Sequence, residues 1–232
     1  MMTAAEIKYI KSLKEKKFRD ASGLFVVEGE KMVAEALASG FKVRQVIRAE
    51  EVGDNVMSRI SGLTTPPPVL AVVEQKRSGS ADLADGLCLA LDSVRDPGNM
   101  GTIIRIADWF GVKTIYCSAD CVEVYNPKVV QASMGSIFRM DIVVCDLVQL
   151  CSRFKAAGKK VYGTFLNGSN IYESDLEAQG LIVMGNESNG ISIAVGEQVD
   201  ARVLIPSFGG SRAESLNVGV ATAVVLSEFR RR

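Results

Sequence analysis

Residues 202–232 read RVLIPSFGGSRAESLNVGVATAVVLSEFRRR, which is a strand, a loop and a helix in close succession. The apolar run at residues 203–205 predicts the end of a strand, because the proline after it cannot continue one. A glycine-bearing loop over residues 207–214 leads into a helix of small residues, predicted over residues 215–230. Because the first turn of a helix leaves backbone N–H groups unpaired, this arrangement can hold a ligand.

Several apolar runs of the same kind precede this stretch. Runs without polar alternation are typical of strands that are covered on both faces, as in parallel α/β sheets. The predicted strands cover residues 87–91, 114–117, 141–144, 160–165, 181–184 and 202–205, and the predicted helices cover residues 99–110, 126–135, 146–157 and 215–230. The sequence therefore predicts an α/β domain with a mostly parallel sheet over residues 86–232.

Three loops of this domain carry glycines together with carboxylates or amides. They follow the predicted strands at residues 87–91, 181–184 and 202–205. Ligands of such sheets bind beyond the carboxyl ends of the strands, so we expect the three loops to converge on one site. Neither GxGxxG nor GxxxxGK[ST] is present, so the sequence does not indicate a nucleotide phosphate as the ligand.

The first third of the chain predicts a smaller β-α-β-α-β domain. A basic amphipathic helix is expected over residues 1–20. The remaining elements are strands at residues 23–28, 41–48 and 69–73 and helices at residues 28–39 and 52–60. We predict a domain over residues 1–75, a polar linker over residues 76–85 and the larger domain over residues 86–232.

The composition limits the chemistry that the chain can perform. Its 232 residues have a formal net charge of zero, so nucleic acid would have to bind a local patch. There is no histidine, which excludes Ser–His or Cys–His nucleophiles and histidine metal sites, and we expect no metal. The five cysteines form no CxxC pair and predict buried thiols in a reducing compartment. No apolar run is long enough to cross a membrane and no signal peptide is recognisable, so we expect a cytoplasmic protein.

The three loops resemble the three motifs of the SpoU family of RNA 2'-O-ribose methyltransferases, also called the TrmH family, of the SPOUT superfamily. The first is DPGNMGTIIRIADWFGV at residues 96–112 and the second is VMGNESNGIS at residues 183–192. The third comprises Ile205 and Pro206 followed by SLNVGVA at residues 215–221. Residues 124–139 resemble the family segment between the first two motifs, and residues 1–75 are similar to the L30e-like RNA-binding domain of many members.

This resemblance implies a fold, a cofactor and a substrate. The fold would be an α/β domain with a deep trefoil knot, which is rare among proteins. The cofactor would be S-adenosyl-L-methionine, held by the knotted loops of a homodimer without a metal. The substrate would be a ribose 2'-hydroxyl in structured RNA, with no membrane partner.

The resemblance also assigns residues. The catalytic candidates are Asn99, Arg105, Glu187, Ser215 and Asn217, and the cofactor-binding candidates are Gly185, Asn186, Ile205 and Leu216. A guanidinium stays protonated at ordinary pH, so we expect Arg105 to bind phosphate and polarise the hydroxyl instead of acting as a base. Glu187 could orient Arg105, or simply favour a helix N-terminus, and the polar residues at the start of the last helix could be ordinary caps.

Basic residues of the N-terminal region are the candidates for RNA contact, and these are Lys14, Lys17, Arg19 and Arg44. The alternative is a solvated helix face. The L30e-like resemblance favours RNA contact, and it favours 23S rRNA over tRNA, with guanosine as the default nucleotide.

Two other functions stay open from the sequence. One is an RNA-binding or assembly factor that transfers no methyl group, and the other is an unrelated doubly wound enzyme that binds a different nucleotide. The loop at residues 207–214 is also about two residues longer than in many members of the family, so Arg212 and Glu214 are either extra substrate contacts or solvated.

Overall fold

A computed structural model describes residues 2–76, 82–209 and 214–231. The predicted linker at residues 76–85 and the loop at residues 207–214 therefore lie partly outside the described residues. The helices are α1 Ala4–Ser12, α2 Lys16–Ser22, α3 Glu30–Ala38, α4 Ala49–Val52, α5 Asp54–Ile60, α6 Pro97–Trp109, α7 Pro127–Ser133, α8 Leu147–Ala156, α9 Ile193–Gly196 and α10 Val218–Arg230. The strands are β1 Leu24–Glu28, β2 Val43–Arg48, β3 Val69–Glu74, β4 Leu87–Leu91, β5 Thr114–Cys117, β6 Asp141–Val144, β7 Val161–Asn170, β8 Gly180–Met184 and β9 Ala201–Leu204.

The chain divides into two compact units, and the first contains Met1–Arg77 together with Glu123–Arg139. Its sheet has the order β1-β3-β2 with antiparallel pairing throughout. The central strand β3 is buried along almost its whole length, which explains its unbroken apolar sequence. Apolar side chains of α1 and α5 pack with one another and with side chains of the sheet, including Leu70 and Val72.

Residues 123–139 lie far from the N-terminal region in sequence but belong to this first unit. Their aromatic side chains complete its core, because the rings of Tyr125 and Phe138 lie 4.6 and 6.4 Å from that of Phe25. The hydroxyl of Tyr125 accepts a hydrogen bond from the backbone N–H of Lys76 at 3.0 Å. The compact units thus divide the chain differently from the continuous segments 1–75 and 86–232 of the sequence analysis.

The second unit contains Ser78–Val122 and Met140–Arg232 and is built on a parallel sheet of six strands. The strand order is β6-β5-β4-β8-β7-β9, and every pair in it is parallel. All residues of β4, β5 and β8 are buried, as their continuous apolar sequences predict. The α/β class and the parallel sheet are confirmed, and the central strands β4 and β8 deliver their following loops to the same edge.

Three boundaries differ from the prediction for physical reasons. The single helix expected over residues 1–20 is two helices, because the chain turns at Leu13, which is fully buried. The helix expected over residues 52–60 is divided at Gly53, whose φ of 84° is one that L side chains rarely adopt. Strand β7 extends to Asn170, and its pairing with β9 shifts register between Thr164 and Ser169.

Among the described residues, no helix has the length and apolar character needed to cross a bilayer.

Candidate active site

The loop after β4 places Asn99 in the first turn of α6. Asp96 is the N-cap, and its carboxylate accepts a hydrogen bond from the backbone N–H of Asn99 at 2.7 Å. Pro97 occupies the first turn, where its missing N–H costs nothing. Arg105 lies further along the same helix with an exposed side chain, and the described residues offer its guanidinium no hydrogen bond or ion pair.

The loop after β8 is a tight turn built around Asn186. The backbones of Asn186 and Gly190 exchange two hydrogen bonds of 2.9 and 3.0 Å. The side-chain oxygen of Asn186 accepts from the backbone N–H groups of Ser188 and Asn189 at 2.9 and 3.1 Å. A Cβ added to Gly185 would lie 2.2 Å from the carbonyl carbon of Gly190, so only glycine allows the two backbones to approach this closely.

The third loop ends at Asn217, which is the N-cap of α10. The side-chain oxygen of Asn217 accepts from the backbone N–H groups of Gly219 and Val220 at 2.9 and 3.3 Å. Helix α10 packs closely on α6 here, because a Cβ added to Gly219 would lie 3.2 Å from Thr102. Capping and close packing together bring the start of α10 to the start of α6.

Hydrogen bonds between side chains join the three loops. The side-chain amide of Asn99 donates to Oε1 of Glu187 at 2.9 Å, and its oxygen accepts from the side-chain amide of Asn217 at 2.8 Å. An ionised carboxylate can only accept, so Glu187 fixes which end of the Asn99 amide faces it. The predicted convergence of Asn99, Glu187 and Asn217 is thus present in the structure.

Glu187 differs from the expectation that it orients Arg105. Its carboxylate accepts from Asn99 and, at 3.4 Å, from the side-chain amide of Asn186. The polar network therefore includes Asn99, Glu187 and Asn217 but not Arg105. Ser215 is exposed and, within the described part of the chain, makes no hydrogen bond.

Three of the four residues proposed for cofactor contact, Gly185, Asn186 and Leu216, adjoin this network along the chain, and Ile205 directly follows β9. Gly185 is buried, Asn186 and Ile205 are half-buried, and Leu216 is 50% exposed next to Asn217. An adenosyl group requires apolar surfaces for its ring, and its sulfonium is favoured near a carboxylate. The apolar side chains of Ile205 and Leu216 and the carboxylate of Glu187 fit these requirements.

Two residues that the sequence analysis did not select support the same loops. Asp92 is buried at the end of β4, and its carboxylate accepts from the backbone N–H of Ser192 at 2.7 Å. Ser93 follows with a φ of 60°, and its carbonyl accepts from the side-chain amide of Asn186 at 2.7 Å. The sequence signal that could have identified Asp92 and Ser93 is their position directly after a buried strand. The left-handed backbone of Ser93 could not be predicted, because serine rarely adopts it.

Basic residues of the first unit differ in how accessible they are. Lys17 is exposed and lies 3.2 Å from the carboxylate of Glu15. Arg44 is exposed and forms an ion pair with Glu74. Lys14 is half-buried and donates to the backbone carbonyl of Ser61 at 2.5 Å. Lys17 and Arg44 thus keep the exposure that RNA contact requires, whereas Lys14 also has a structural role.

The prediction that Arg19 contacts RNA is wrong. Its side chain is only 2% exposed and forms a two-point ion pair with the carboxylate of Glu123, with Nε 2.9 Å from Oε1. It also donates to the backbone carbonyl of Leu13 at 2.8 Å. Arg19 is therefore committed to the interior of the first unit and cannot reach a phosphate, a role that no local pattern reveals because Glu123 lies 104 residues away.

The remaining points concern metal binding and the loop at residues 207–214. No group of three or more Cys, Asp or Glu side chains in the described ranges could hold a metal ion. Arg212 lies outside the described residues, and Glu214 is exposed.

Comparison with protein-family models gives two matches. The model described as SpoU rRNA Methylase family matches residues 86–227, which is more than half of the chain. The model described as MRM3-like substrate binding domain matches residues 4–55. The family resemblance and the presence of a substrate-binding domain at the N-terminal side are confirmed.

Individual proteins show the same relationship. The chain is 31% identical to the 23S rRNA (guanosine(2553)-2'-O)-methyltransferase RlmP of Bacillus subtilis, over 97% of this chain and 96% of that protein. A TrmH-family structure from Porphyromonas gingivalis superposes with a TM-score of 0.92 at 37% identity, covering 100% of this chain and 99% of the other. The AdoMet-bound rRNA methyltransferase from Sinorhizobium meliloti gives 0.89 at 31% identity, with coverages of 100% and 97%.

Proposed function

Because the chain belongs to the SpoU rRNA methylase family, we propose that it transfers a methyl group from S-adenosyl-L-methionine to a ribose 2'-hydroxyl of 23S rRNA. The observation that carries the proposal is the hydrogen-bonded series Glu187–Asn99–Asn217, which joins three distant loops at one edge of the sheet. The first unit, which includes the match to a substrate-binding domain, would hold the RNA through exposed basic residues such as Lys17 and Arg44.

S-adenosyl-L-methionine, when bound, supplies a methyl group on a positively charged sulfur, which is already a good leaving group. The protein therefore mainly has to align the ribose oxygen and help its proton to leave. The backbone at Gly185 and the side chains of Ile205 and Leu216 would hold the cofactor. The side chain of Asn186 would shape the turn after β8, which begins next to Gly185.

Arg105 is the residue that we propose to engage the substrate. Its exposed guanidinium has no protein partner among the described residues, so a phosphate can take its donors in a bidentate contact. The positive charge would polarise the 2'-hydroxyl, while Asn99 and Asn217 orient it and Ser215 offers a further hydroxyl. The carboxylate of Glu187 fixes Asn99 in this arrangement.

The names of the relatives support 23S rRNA as the substrate class. RlmP of Bacillus subtilis is named for a guanosine of 23S rRNA, and a relative from Streptomyces viridochromogenes, 29% identical, is named for a uridine of 23S rRNA. The shared element is 23S rRNA, so we favour it over tRNA, and we retain guanosine as the first nucleotide to examine. An rRNA substrate also supports a cytoplasmic location.

We also propose that the chain forms a homodimer and that its second unit is knotted. Trp109 at the end of α6 is 86% exposed, and Val220 near the start of α10 is 52% exposed. Large exposed apolar side chains on two helices that pack together are typical of a subunit interface. Equilibrium sedimentation of the purified chain tests the homodimer separately from methyl transfer.

Arg105 provides the test of the proposed site. Arg105→Ala should fold as the wild type does, because the side chain is exposed, and should lose most methyl transfer to unmodified 23S rRNA. Arg105→Lys is the matched variant, since it keeps the charge but not the planar pair of donors, and should recover only part of the rate. A wild-type rate for Arg105→Ala would show that the site has been assigned wrongly.

A further inference from the structure

Ser93 holds a backbone conformation that its side chain disfavours. Its φ of 60° is in the left-handed region, where a residue with a Cβ is strained. Two hydrogen bonds hold it there. Its backbone N–H donates to the hydroxyl of Ser118 at 2.9 Å, and its hydroxyl donates to the carboxylate of Asp120. The conformation of Ser93 is therefore set by side chains of the loop after β5.

Asp120 is the centre of this support. Its carboxylate also accepts from the hydroxyl of Ser118 at 2.7 Å and from the guanidinium of Arg95 at 3.2 Å. Hydrogen bonds from Ser93 and Ser118 lower the pKa of Asp120 to about 2, which favours the ionised carboxylate. An ionised carboxylate accepts these hydrogen bonds more strongly than a neutral group does.

The carbonyl of Ser93 connects this support to the polar network of the site. The side-chain amide of Asn186 lies between two acceptors, the carbonyl of Ser93 at 2.7 Å and Oε2 of Glu187 at 3.4 Å. The closer carbonyl takes the stronger hydrogen bond. The amide nitrogen has two hydrogens, so both contacts coexist, and Glu187 accepts from Asn99 through its other oxygen, Oε1, at 2.9 Å.

We propose that Asp120 is a positioning residue for methyl transfer, acting through Ser93 and Asn186 on Glu187. Asp120 keeps the carbonyl of Ser93 directed at the Asn186 amide, and this hydrogen bond holds the loop of Asn186 and Glu187 where the Glu187 carboxylate can orient Asn99. This inference rests on the function proposed above for Asn99 and Glu187. Asp120 itself needs no contact with the substrate or the cofactor.

Loss of this support has a defined structural consequence. Without Asp120, residue 93 relaxes from the left-handed region and its carbonyl turns away from Asn186. The loop that carries Glu187 then loses this hydrogen bond to the loop after β4, so the position of Glu187, and with it the orientation of Asn99, becomes less fixed. The turn at residues 186–190 persists, because its backbone bridge and the contacts of the Asn186 side-chain oxygen do not involve Ser93.

Five variants of the full chain test the proposal: Ser93→Gly, Asp120→Ala, the double variant, Asp120→Asn, and Asp175→Ala as an exposed carboxylate of the same unit. Glycine accepts a φ of 60° without strain, so Ser93→Gly should keep the wild-type melting temperature. It also lacks the hydroxyl that binds Asp120, so the direction of its carbonyl is no longer fixed. Ser93→Gly and Asp120→Ala should each lower kcat on 23S rRNA roughly tenfold or more. The affinity for S-adenosyl-L-methionine, measured by calorimetry, should change less than about threefold, because the turn persists.

The pattern of the effects distinguishes positioning from folding. The double variant should be no slower than Asp120→Ala, since both changes break the same connection. Asp120→Asn, which retains one acceptor, should recover part of the rate, and Asp175→Ala should have wild-type kinetics. Wild-type kcat in both single variants, or effects that multiply in the double variant, would overturn the proposal.

One readout does not depend on activity. Hydrogen exchange of the Asn186 side-chain amide, followed by NMR, should be slow in the wild type and faster in Asp120→Ala and Ser93→Gly. Unchanged exchange in both would overturn the positioning role even if kcat fell. A wild-type protein that transfers no methyl group would instead refute the proposed function, so the two failures are distinguishable.

Discussion

Asn217 donates its side-chain amide to the side-chain oxygen of Asn99 at 2.8 Å, across a separation of 118 residues in sequence. The same Asn217 side chain accepts from two backbone N–H groups of α10 through its oxygen. One residue thus caps the last helix and fixes a proposed catalytic amide, and these two roles use different atoms of the side chain.

The two roles of Asn217 can be separated by substitution. Asn217→Asp keeps an oxygen for the cap, where a negative charge is favoured, but replaces the donor to Asn99 with an acceptor. We expect wild-type stability and a large loss of methyl transfer. Asn217→Ala removes both roles and should also lower the free energy of unfolding by about 1 kcal/mol. Urea denaturation and single-turnover methylation measure the two effects, and equal stability losses in both variants would contradict the separation.

Gly185 and Gly190 should differ sharply in their tolerance of alanine. A Cβ at Gly185 would collide with the backbone of Gly190 at 2.2 Å, so Gly185→Ala should displace the turn that carries Glu187 and abolish cofactor binding measured by calorimetry. A Cβ at Gly190 would meet no atom within 4 Å, so the one obstacle to alanine there is the φ of 68°. Gly190→Ala should therefore cost about 1 kcal/mol of stability and retain cofactor binding. Equal cofactor affinities in the two variants would contradict this account of the turn.

The ion pair between Arg19 and Glu123 should be costly to break when only one partner is removed. Arg19 is 2% exposed, so Glu123→Ala leaves a buried guanidinium without its partner and should cost about 3–5 kcal/mol. The double variant Arg19→Met/Glu123→Leu should lose less than Glu123→Ala alone, because no buried charge remains unpaired. Lys17→Ala, on an exposed residue of the same helix, is the control and should change stability by less than about 0.5 kcal/mol. Chemical denaturation measures all three, and a Glu123→Ala variant as stable as Lys17→Ala would contradict the buried pair.

Cys121 and Cys145 form a matched pair for alkylation, since both are half-exposed. Hydrogen bonding from Cys117 lowers the pKa of Cys121 to about 7, whereas burial raises the pKa of Cys145. At pH 7 Cys121 therefore has a larger thiolate fraction than Cys145. Iodoacetamide at pH 7 should modify Cys121 first, and lowering the pH to 6 should slow that reaction. Mass spectrometry of the labelled peptides measures the order, and faster labelling of Cys145 would contradict it.

The sequence predicted most of the second unit well because its central strands are short apolar runs with clear ends. Strands β4, β5 and β6 have the predicted bounds, whereas β7 continues for five residues past the predicted end because residues 167–170 are polar and lack a strand pattern. The meeting of Asn99, Glu187 and Asn217 followed from the rule for ligand sites in parallel sheets. The spacing of the motifs could not show that Glu187 contacts Asn99 and not Arg105, because this depends on the directions of the side chains.

Long-range contacts account for what the sequence did not predict. The break after α1 and the burial of Arg19 both depend on residues far along the chain, because Leu13 enters a core and Arg19 meets Glu123. The left-handed backbone of Ser93 is likewise held by Ser118 and Asp120 from another loop. In each case the local sequence is compatible with the conformation but does not require it.

The central claim is methyl transfer to ribose in 23S rRNA, and one measurement tests it most directly. The purified protein is incubated with methyl-labelled S-adenosyl-L-methionine and unmodified 23S rRNA or tRNA, and the RNA is digested to nucleosides. We predict label in a single 2'-O-methylnucleoside from 23S rRNA, and almost none when Arg105→Ala replaces the wild type. Label on a base, label in tRNA alone, or no label in either RNA would contradict the account.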